Sequence, residues 1–88
     1  MAALDLLGRR GALRVLWELR GEAMTFRALA AAADLPPGTL NARLKELRET
    51  GIVSADAGYV LTAQGRDLLA ALLPLINWAE GWAGAMRL

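Results

Sequence analysis

Polar side chains suited to hydrogen bonding with nucleic-acid bases lie together in residues 35–51, LPPGTLNARLKELRETG. Asparagine can pair bidentately with adenine and arginine with guanine, and these residue types occur here as Asn41 and Arg43. Lys45 adds a cation able to neutralise a phosphate. Together, these residue types could contact the bases and phosphates of double-stranded DNA. An ordinary amphipathic surface helix has the same pattern, and the stretch taken alone favours that simpler interpretation.

The sequence offers no comparable set of catalytic or metal-binding residues. The chain has no cysteine and no histidine, which removes disulfides, thiolate ligands, and the commonest general base and metal ligand. Its nine acidic residues are scattered, so no nucleophile–base pair stands out. We therefore predict that the chain is not an enzyme and holds no metal or cofactor.

The composition indicates one domain, residues 1–88, with more apolar surface than its own core needs. Of these residues 56% are hydrophobic, which is high for a protein of this size. A partner subunit is the simplest place for that excess. The net charge of +1 argues against a nonspecific nucleic-acid coat.

Neither a signal peptide nor a membrane span is predicted. The first residues, MAALDLLGRRG, lack a basic region followed by an apolar core and a small-residue cleavage site. The most apolar run, Leu68 to Ala79, has 12 residues, whereas a helix needs about 20 to cross a bilayer. We expect a soluble, cytoplasmic protein with no membrane partner.

The polar stretch is predicted to lie on the second helix of a helix-turn-helix, at about residues 25–50. Leu40, Leu44 and Leu47 recur at i, i+4 and i+7 and form one apolar stripe. Pro36 and Pro37 stand where that helix begins and Gly51 follows its end, as start and stop signals. A shorter helix at 26–33, capped by Thr25, precedes it, and the three residues 34–36 connect the two helices.

Two short apolar runs, 52–55 and 59–61, flank a turn that ends in Gly58 and predict a hairpin, or wing, at about 52–61. Ahead of the motif, helices are expected near 3–8 and 12–20, separated by a glycine-bounded bend. In the second of these helices the expected apolar side is formed by Leu13, Leu16, Trp17 and Leu19. The bend carries Arg9 and Arg10, which are either phosphate contacts or a solvated pair.

The last segment, about 63–86, is predicted as a helix that Thr62 caps and that Pro74 kinks or divides. It is apolar around most of its circumference, which is typical of an interface. With the N-terminal helix it is expected to form a homodimer through Leu4, Leu7, Leu72, Leu75, Ile76, Trp78 and Trp82. In the alternative, the two tryptophans cover the chain's own core. The last helix could line a pocket for a small-molecule effector between subunits, but such an effector is unsupported and a dry dimer core is favoured.

The chain resembles the HxlR-type winged helix-turn-helix transcriptional regulators of bacteria, within a superfamily that includes the MarR and PadR types. The match covers roughly residues 4–80, and its most telling part is the run Tyr59 to Gly65, YVLTAQG, after the hairpin. The other matching segments are LDLLG (4–8), LRVLWEL (13–19), TFRAL (25–29), TLNARLKEL (39–47), GIV (51–53) and Trp78.

The resemblance implies a mainly α fold with a small β-hairpin, in which N- and C-terminal helices make the dimer interface. It further implies a homodimeric DNA-binding repressor or activator with one recognition helix per major groove. Carried onto this chain, the base contacts are Pro37, Gly38, Thr39, Asn41, Ala42 and Arg43. Lys45 and Arg27 are expected to contact phosphate, and Arg43 could equally form an intramolecular ion pair.

This sequence departs from the family pattern in three places. The wing is short and carries Asp56 but no basic residue, so it is expected to repel phosphate. Pro36 stands where a serine-like cap is usual, and no cysteine is available for thiol-based sensing. The acidic wing and the small net charge keep a second hypothesis open, a winged-helix protein–protein interaction module with weak or no DNA binding.

Overall fold

A computed structural model describes residues 2–86 as five helices and one two-stranded hairpin, the mainly α architecture that the sequence predicts. Residues 1, 87 and 88 of the predicted domain lie outside the described residues. The elements in chain order are α1 (Ala2–Leu7), α2 (Ala12–Glu18), α3 (Phe26–Ala33), α4 (Pro37–Glu49), β1 (Val53–Ser54), β2 (Val60–Leu61) and α5 (Ala63–Met86).

The connection from α3 to α4 has the three residues predicted for a helix-turn-helix. Thr25 caps α3 by accepting a hydrogen bond from the Ala28 N–H (3.1 Å), as predicted. Asp34 ends the helix in the left-handed conformation (φ 53°). Leu35 then packs partly against the core, with its side chain against the backbone of Gly11. That contact fixes the connection to the bend before α2.

Helix α4 buries the predicted stripe of Leu40, Leu44 and Leu47. Its end is a Schellman motif: the Ile52 N–H donates to the Leu47 carbonyl (2.8 Å), and the Gly51 N–H donates to that of Arg48 (3.1 Å). Gly51 has φ 78°, the left-handed conformation expected of it. The chain therefore leaves α4 in a defined direction and enters the hairpin at once.

The hairpin pairs β1 with β2 in antiparallel register, with Val53 opposite Leu61, and both side chains are buried. Met24 adds a one-residue bridge to Tyr59 through two backbone hydrogen bonds of 3.0 and 2.8 Å. The strand before α3 is thus only one residue long. It joins the wing to the start of the helix-turn-helix.

The core lies between α2, α3, α4 and the hairpin. Its side chains are all aliphatic: Val15, Leu16, Leu19, Leu29, Leu40, Leu44, Leu47, Val53 and Leu61. The apolar side expected for α2 is wrong in one respect, because Leu13 is 44% exposed and Trp17 is half-buried. Ala12 and Val15 take the inward positions instead, since Leu13 and Trp17 face α5.

Helix α5 begins on the core and then extends beyond it. Leu68, Leu69 and Leu72 pack partly against the core. Pro74 lies inside one continuous helix, so the predicted division of this segment is wrong. With 24 residues the helix is about 36 Å long, most of the 40 Å length of the molecule. None of the helices within residues 2–86 is both long enough and apolar enough to cross a membrane.

Candidate nucleic-acid interface

Helix α4 presents to solvent the side opposite its buried leucines. Since an α-helix turns about 100° per residue, residues three or four positions apart in sequence lie on the same side of it. We call this surface the outer face of α4; apart from Ala42, which is half-buried, its members are exposed. The outer face comprises Gly38, Asn41, Ala42, Lys45 and Arg48, and Glu49 follows it at the C-terminal end of α4. It is narrow and small at its N-terminal end, which suits insertion into the major groove of DNA.

The first turn of α4 has two backbone amides directed away from the helix. Pro36 and Pro37 have no N–H, and the Leu40 N–H donates to the Pro36 carbonyl (3.0 Å). The amides of Gly38 and Thr39 therefore have no carbonyl within the helix to bond. Pro36, at the N-cap position, offers no side-chain cap. These two donors and the positive end of the helix dipole together favour a negatively charged group at this point.

Arg43 is committed to contacts inside the molecule. Its Nη2–H donates to Glu46 Oε1 (2.8 Å), and its Nη1–H donates to the carbonyl oxygen of Arg10 (3.0 Å). Only 14% of the side chain is exposed. The ion pair, one of the two alternatives left open by the sequence, is confirmed. We therefore leave Arg43 out of the set of base contacts proposed below.

Seven of the eight predicted DNA contacts lie on α4, and Arg27 lies apart from them in the first turn of α3, where it is exposed. Pro37, at the start of α4, is also exposed, and Thr39 is half-buried. Lys45 is 78% exposed and lies 4.0 Å from Glu49, which leaves its ammonium group accessible. Arg9 and Arg10 lie beside α4 in the bend, and Arg9 is 3.5 Å from Glu46.

A shallow groove separates α4 from the wing, and it adds a residue that the sequence analysis missed. Arg48 lines this groove with Lys45, Ser54 and Asp56. The sequence could have indicated Arg48, because it lies seven residues after Asn41 and three residues after Lys45, on the same side of the helix. Asp56 is exposed at the wing turn, so this edge of the surface carries both signs of charge.

A family model described as "Helix-turn-helix domain" matches residues 10–54, from the bend before α2 to the end of β1. An uncharacterised HTH-type transcriptional regulator of Mycobacterium tuberculosis is 37% identical over 86 residues, covering 89% of this chain and 54% of the relative. The uncharacterised HTH-type transcriptional regulator YvaP of Bacillus subtilis is 30% identical over 89 residues, covering 91% and 82%. The chain belongs to the helix-turn-helix transcriptional regulators.

Two solved structures extend the likeness of this regulator to its whole fold. Quinone-bound YodB from B. subtilis superposes with a TM-score of 0.82 and 28% identity over 91% of this chain and 93% of that one. A MarR family protein of M. tuberculosis gives a TM-score of 0.72 and 29% identity over 99% and 68%. These matches support the winged helix-turn-helix class predicted from the sequence. The chain spans about half the length of the mycobacterial relative it matches.

The predicted dimer residues of the regulator form a partly exposed apolar surface on α1 and α5. Leu4 is 64% exposed and Leu75 53%, while Leu7 and Leu72 pack partly against the core and Ile76 is half-buried. Trp78 and Trp82 are 63% and 46% exposed and stack on each other, with ring centroids 6.0 Å apart. The alternative in which both tryptophans cover the regulator's own core is therefore wrong.

An apolar groove of about 280 Å³ runs between α2 and α5 of the regulator. Its walls are Leu13, Trp17, Leu69, Leu72, Leu75 and Ile76, with Arg14 and Glu80 as its polar residues. Arg14 is held by Glu18 (3.0 Å) and donates to the Ala32 carbonyl (3.2 Å), so its charge is compensated within the chain. The groove is continuous with the exposed surface of α5, since Leu75 belongs to both.

Proposed function

We propose that this regulator binds double-stranded DNA in a sequence-specific manner as a homodimeric repressor of the HxlR type, in the cytoplasm. The observation that carries the proposal is the outer face of α4, which is exposed while the opposite side of the same helix is anchored by three buried leucines. Asn41 and the small residues Gly38 and Ala42 supply base contacts, together with Pro37 and Thr39. Lys45, Arg27 and Arg48 supply phosphate contacts.

The HxlR assignment is supported by the run Tyr59 to Gly65, in which both ends make specific contacts with neighbouring elements. Tyr59 pairs with Met24 and packs its ring near Phe26 (centroids 6.4 Å apart). Thr62 Oγ1 accepts from the Gly65 N–H (3.1 Å) and donates to the Gly51 carbonyl (2.6 Å). The run therefore joins the wing, the end of α4 and the start of α5.

The dimer is supported by apolar side chains that α5 exposes beyond the core, above all the stacked pair of Trp78 and Trp82. Aromatic residues exposed side by side are typical of subunit interfaces. A two-fold dimer would present two copies of α4 to half-sites about one helical turn, or roughly 34 Å, apart.

The quinone bound to YodB makes a small-molecule effector a further candidate ligand for this chain. The present chain has no cysteine, so a comparable molecule would be held by packing and hydrogen bonds and not by a thiol adduct. The groove between α2 and α5 has the apolar lining for such a ligand. A dry dimer core remains our preferred interpretation of this groove, because apolar helix faces usually pack without a ligand.

A second candidate function is favoured by two exposed carboxylates beside the proposed DNA surface. Glu49 lies next to the outer face, at the end of α4, and Asp56 lies on the wing. Both would face phosphate in a DNA complex, and like charges lower the affinity. A protein partner with a basic surface would instead match them. This second hypothesis is the protein–protein interaction module that the sequence left open.

The deciding experiment is fluorescence anisotropy of the purified protein with the duplex upstream of its own gene and with a shuffled duplex, at low and near-physiological salt. Preference for the native duplex, with a salt slope of about 0.9 per neutralised phosphate, is the expected result. If the upstream region lacks the operator, selection from a random duplex pool supplies one. Equal, weak binding to every duplex, with no sequence enriched from the pool, would favour the protein-interaction module.

Two substitutions on the outer face of α4 separate base from phosphate contacts. We expect Asn41→Ala to weaken the preferred duplex by about 1–3 kcal/mol and the shuffled duplex little, because an adenine contact is lost. Lys45→Ala should weaken both duplexes alike and reduce the salt slope by about 0.9 per subunit. Gln64→Ala, an exposed amide on α5, is the control and should change neither. Equal losses on both duplexes for Asn41→Ala would contradict the base contact.

A further inference from the structure

Three charged side chains connect α4 to the bend between α1 and α2. We call Arg9, Arg43 and Glu46 the Glu46 cluster, because both arginines meet that carboxylate. Arg43 Nη2 is 2.8 Å from Glu46 Oε1, and Arg9 Nε is 3.5 Å from Glu46 Oε2. Arg43 also donates to the backbone carbonyl of Arg10 (3.0 Å). One guanidinium therefore bonds to its own helix and to the neighbouring bend at the same time.

The burial of the cluster distinguishes it from an ordinary surface ion pair. Only 14% of the Arg43 side chain and 28% of the Glu46 side chain are exposed, against 58% for Arg9. Arg43 Nε and Glu46 Oε2 are buried without a hydrogen-bond partner among residues 2–86. A partly buried and incompletely bonded ion pair is a poor source of stability. Geometric specificity, which a planar guanidinium with two fixed donors supplies, is the better explanation for its presence.

The apolar contacts of α4 leave its orientation underdetermined. Leu40, Leu44 and Leu47 hold the helix on the core, but hydrophobic burial is non-directional and tolerates small rotations and slides. Hydrogen bonds are directional, and those of Arg43 reach outside α4 to the Arg10 carbonyl. A rotation of α4 about its axis would break that bond. The cluster lies on the flank of the helix, next to Ala42 and Lys45 of the outer face.

We infer that Glu46 and Arg43 are positioning residues that fix the rotation of α4 and thereby set how sharply the regulator discriminates between DNA sequences. The inference rests on the proposed function, since it concerns the same DNA surface. Neither side chain touches DNA in this scheme. Loss of the pair should lower the preference for the operator while leaving the sequence-independent part of the affinity in place.

Glu46→Gln is the principal test, with Glu49→Gln as its matched control. Both substitutions remove one negative charge from the same helix, three residues apart, so they change the attraction to phosphate in the same direction. The Glu49 side chain is 64% exposed and lies 4.0 Å from Lys45, so that pair is a weak constraint. Arg43→Lys is the second variant: it keeps the charge but loses the two-pronged geometry.

The measurement is the ratio of Kd for a random duplex to Kd for a duplex selected by the wild-type protein. We expect Glu46→Gln and Arg43→Lys to lower this ratio by about 5- to 100-fold, the range of one mismatched base pair, and Glu49→Gln to keep it within about twofold. Selection repeated with Glu46→Gln should yield the same sequence with weaker preferences at each position. Thermal unfolding checks that each variant is folded, and Arg43→Lys replaces Glu46→Gln if the latter is not.

Two results would overturn the inference. In the first, the folded Glu46→Gln protein keeps the wild-type ratio. In the second, Glu46→Gln and Glu49→Gln lower it equally, which would make charge and not position the cause. If the wild-type protein selects no sequence at all, the proposed function itself fails, and that outcome is recognised before any variant is made.

Discussion

At Gly65 the backbone of α5 lies directly against the carbonyl group of Ile52. A methyl group added there would overlap that oxygen and press on the Leu61 side chain. Gly65 is also the residue whose N–H donates to Thr62 Oγ1 (3.1 Å), so it serves the cap of α5 as well as the close approach. The glycine is required for space, since its φ is not in the positive range.

Gly65→Ala should therefore destabilise the protein by about 1–3 kcal/mol or more, the cost of overpacking a well-packed core. Gly81→Ala is the control in the same helix, where an added Cβ meets nothing within 4 Å. That substitution should raise stability by up to about 1 kcal/mol through helix propensity. Urea unfolding of the two variants provides the comparison, and similar midpoints would contradict the packing argument.

At the scale of the element, α4 divides its residues among three tasks. Its leucines hold it on the core, and Arg43 and Glu46 fix its rotation in the inference above. The outer face has no comparable structural role within the molecule. Gly38 belongs to the third group, because an added Cβ there would meet nothing within 4 Å and its φ is not positive. The fold itself gives no reason for a glycine at this position. A close approach to DNA would give one.

Gly38→Ala distinguishes a role of this glycine in folding from a role in DNA binding. The free energy of unfolding should stay the same or rise by up to about 1 kcal/mol, since alanine is the better helix former. DNA affinity should fall by about 1–3 kcal/mol, the size of one lost base contact, because the methyl group occupies the groove. Denaturation and anisotropy measured on the same preparation provide the two values. Unchanged affinity would show that DNA does not approach this residue.

Local sequence signals predicted much of the fold, because the chemistry of caps and turns acts within a few residues. Thr25, Gly51, Gly58 and Thr62 each took the conformation or the bond expected of them. The bounds of α3 were predicted correctly for the same reason. Helix α4 begins at Pro37, directly after the predicted three-residue connection, because Pro36 adopts an extended conformation (ψ 146°) ahead of the first turn.

Features that depend on distant neighbours could not be predicted in this way. Leu13 turned out to face α5 because that helix, 50 residues later, covers one flank of α2. The choice between two roles for Arg43 depended on the Arg10 carbonyl, 33 residues away in sequence. The continuity of α5 through Pro74 likewise has no local signal, because proline alone favours a break.

The molecule as a whole consists of a small aliphatic core and a long helix that continues past it. Beyond Leu72 the large side chains of α5 are mostly exposed, including Leu73, Leu75, Trp78 and Trp82. A single copy of the chain leaves this apolar surface in water. Association of two copies through α1 and α5 would cover it and would also set the spacing of the two α4 helices.

We expect the protein to be a dimer at micromolar concentration and the double variant Trp78→Gln, Trp82→Gln to be a monomer. Two exposed tryptophans per subunit are lost, which should raise the dimer Kd by at least about 100-fold. Light scattering measures the mass, and circular dichroism checks that the helices remain. Met86→Gln, which alters another exposed apolar residue of α5, should stay dimeric. A monomeric wild-type protein would overturn the proposed assembly.

The division of labour along α4 also bears on how such a regulator can diverge. If the outer face contacts bases as proposed, substitutions there would change which operator is preferred and would leave stability nearly unchanged, so descendants of one ancestral chain could acquire new target genes in single steps. Substitutions at Arg43 or Glu46 have no such freedom, because each needs its partner and the Arg10 carbonyl. Duplicated copies should therefore differ most at positions 38, 41, 42 and 45, and least at 43 and 46.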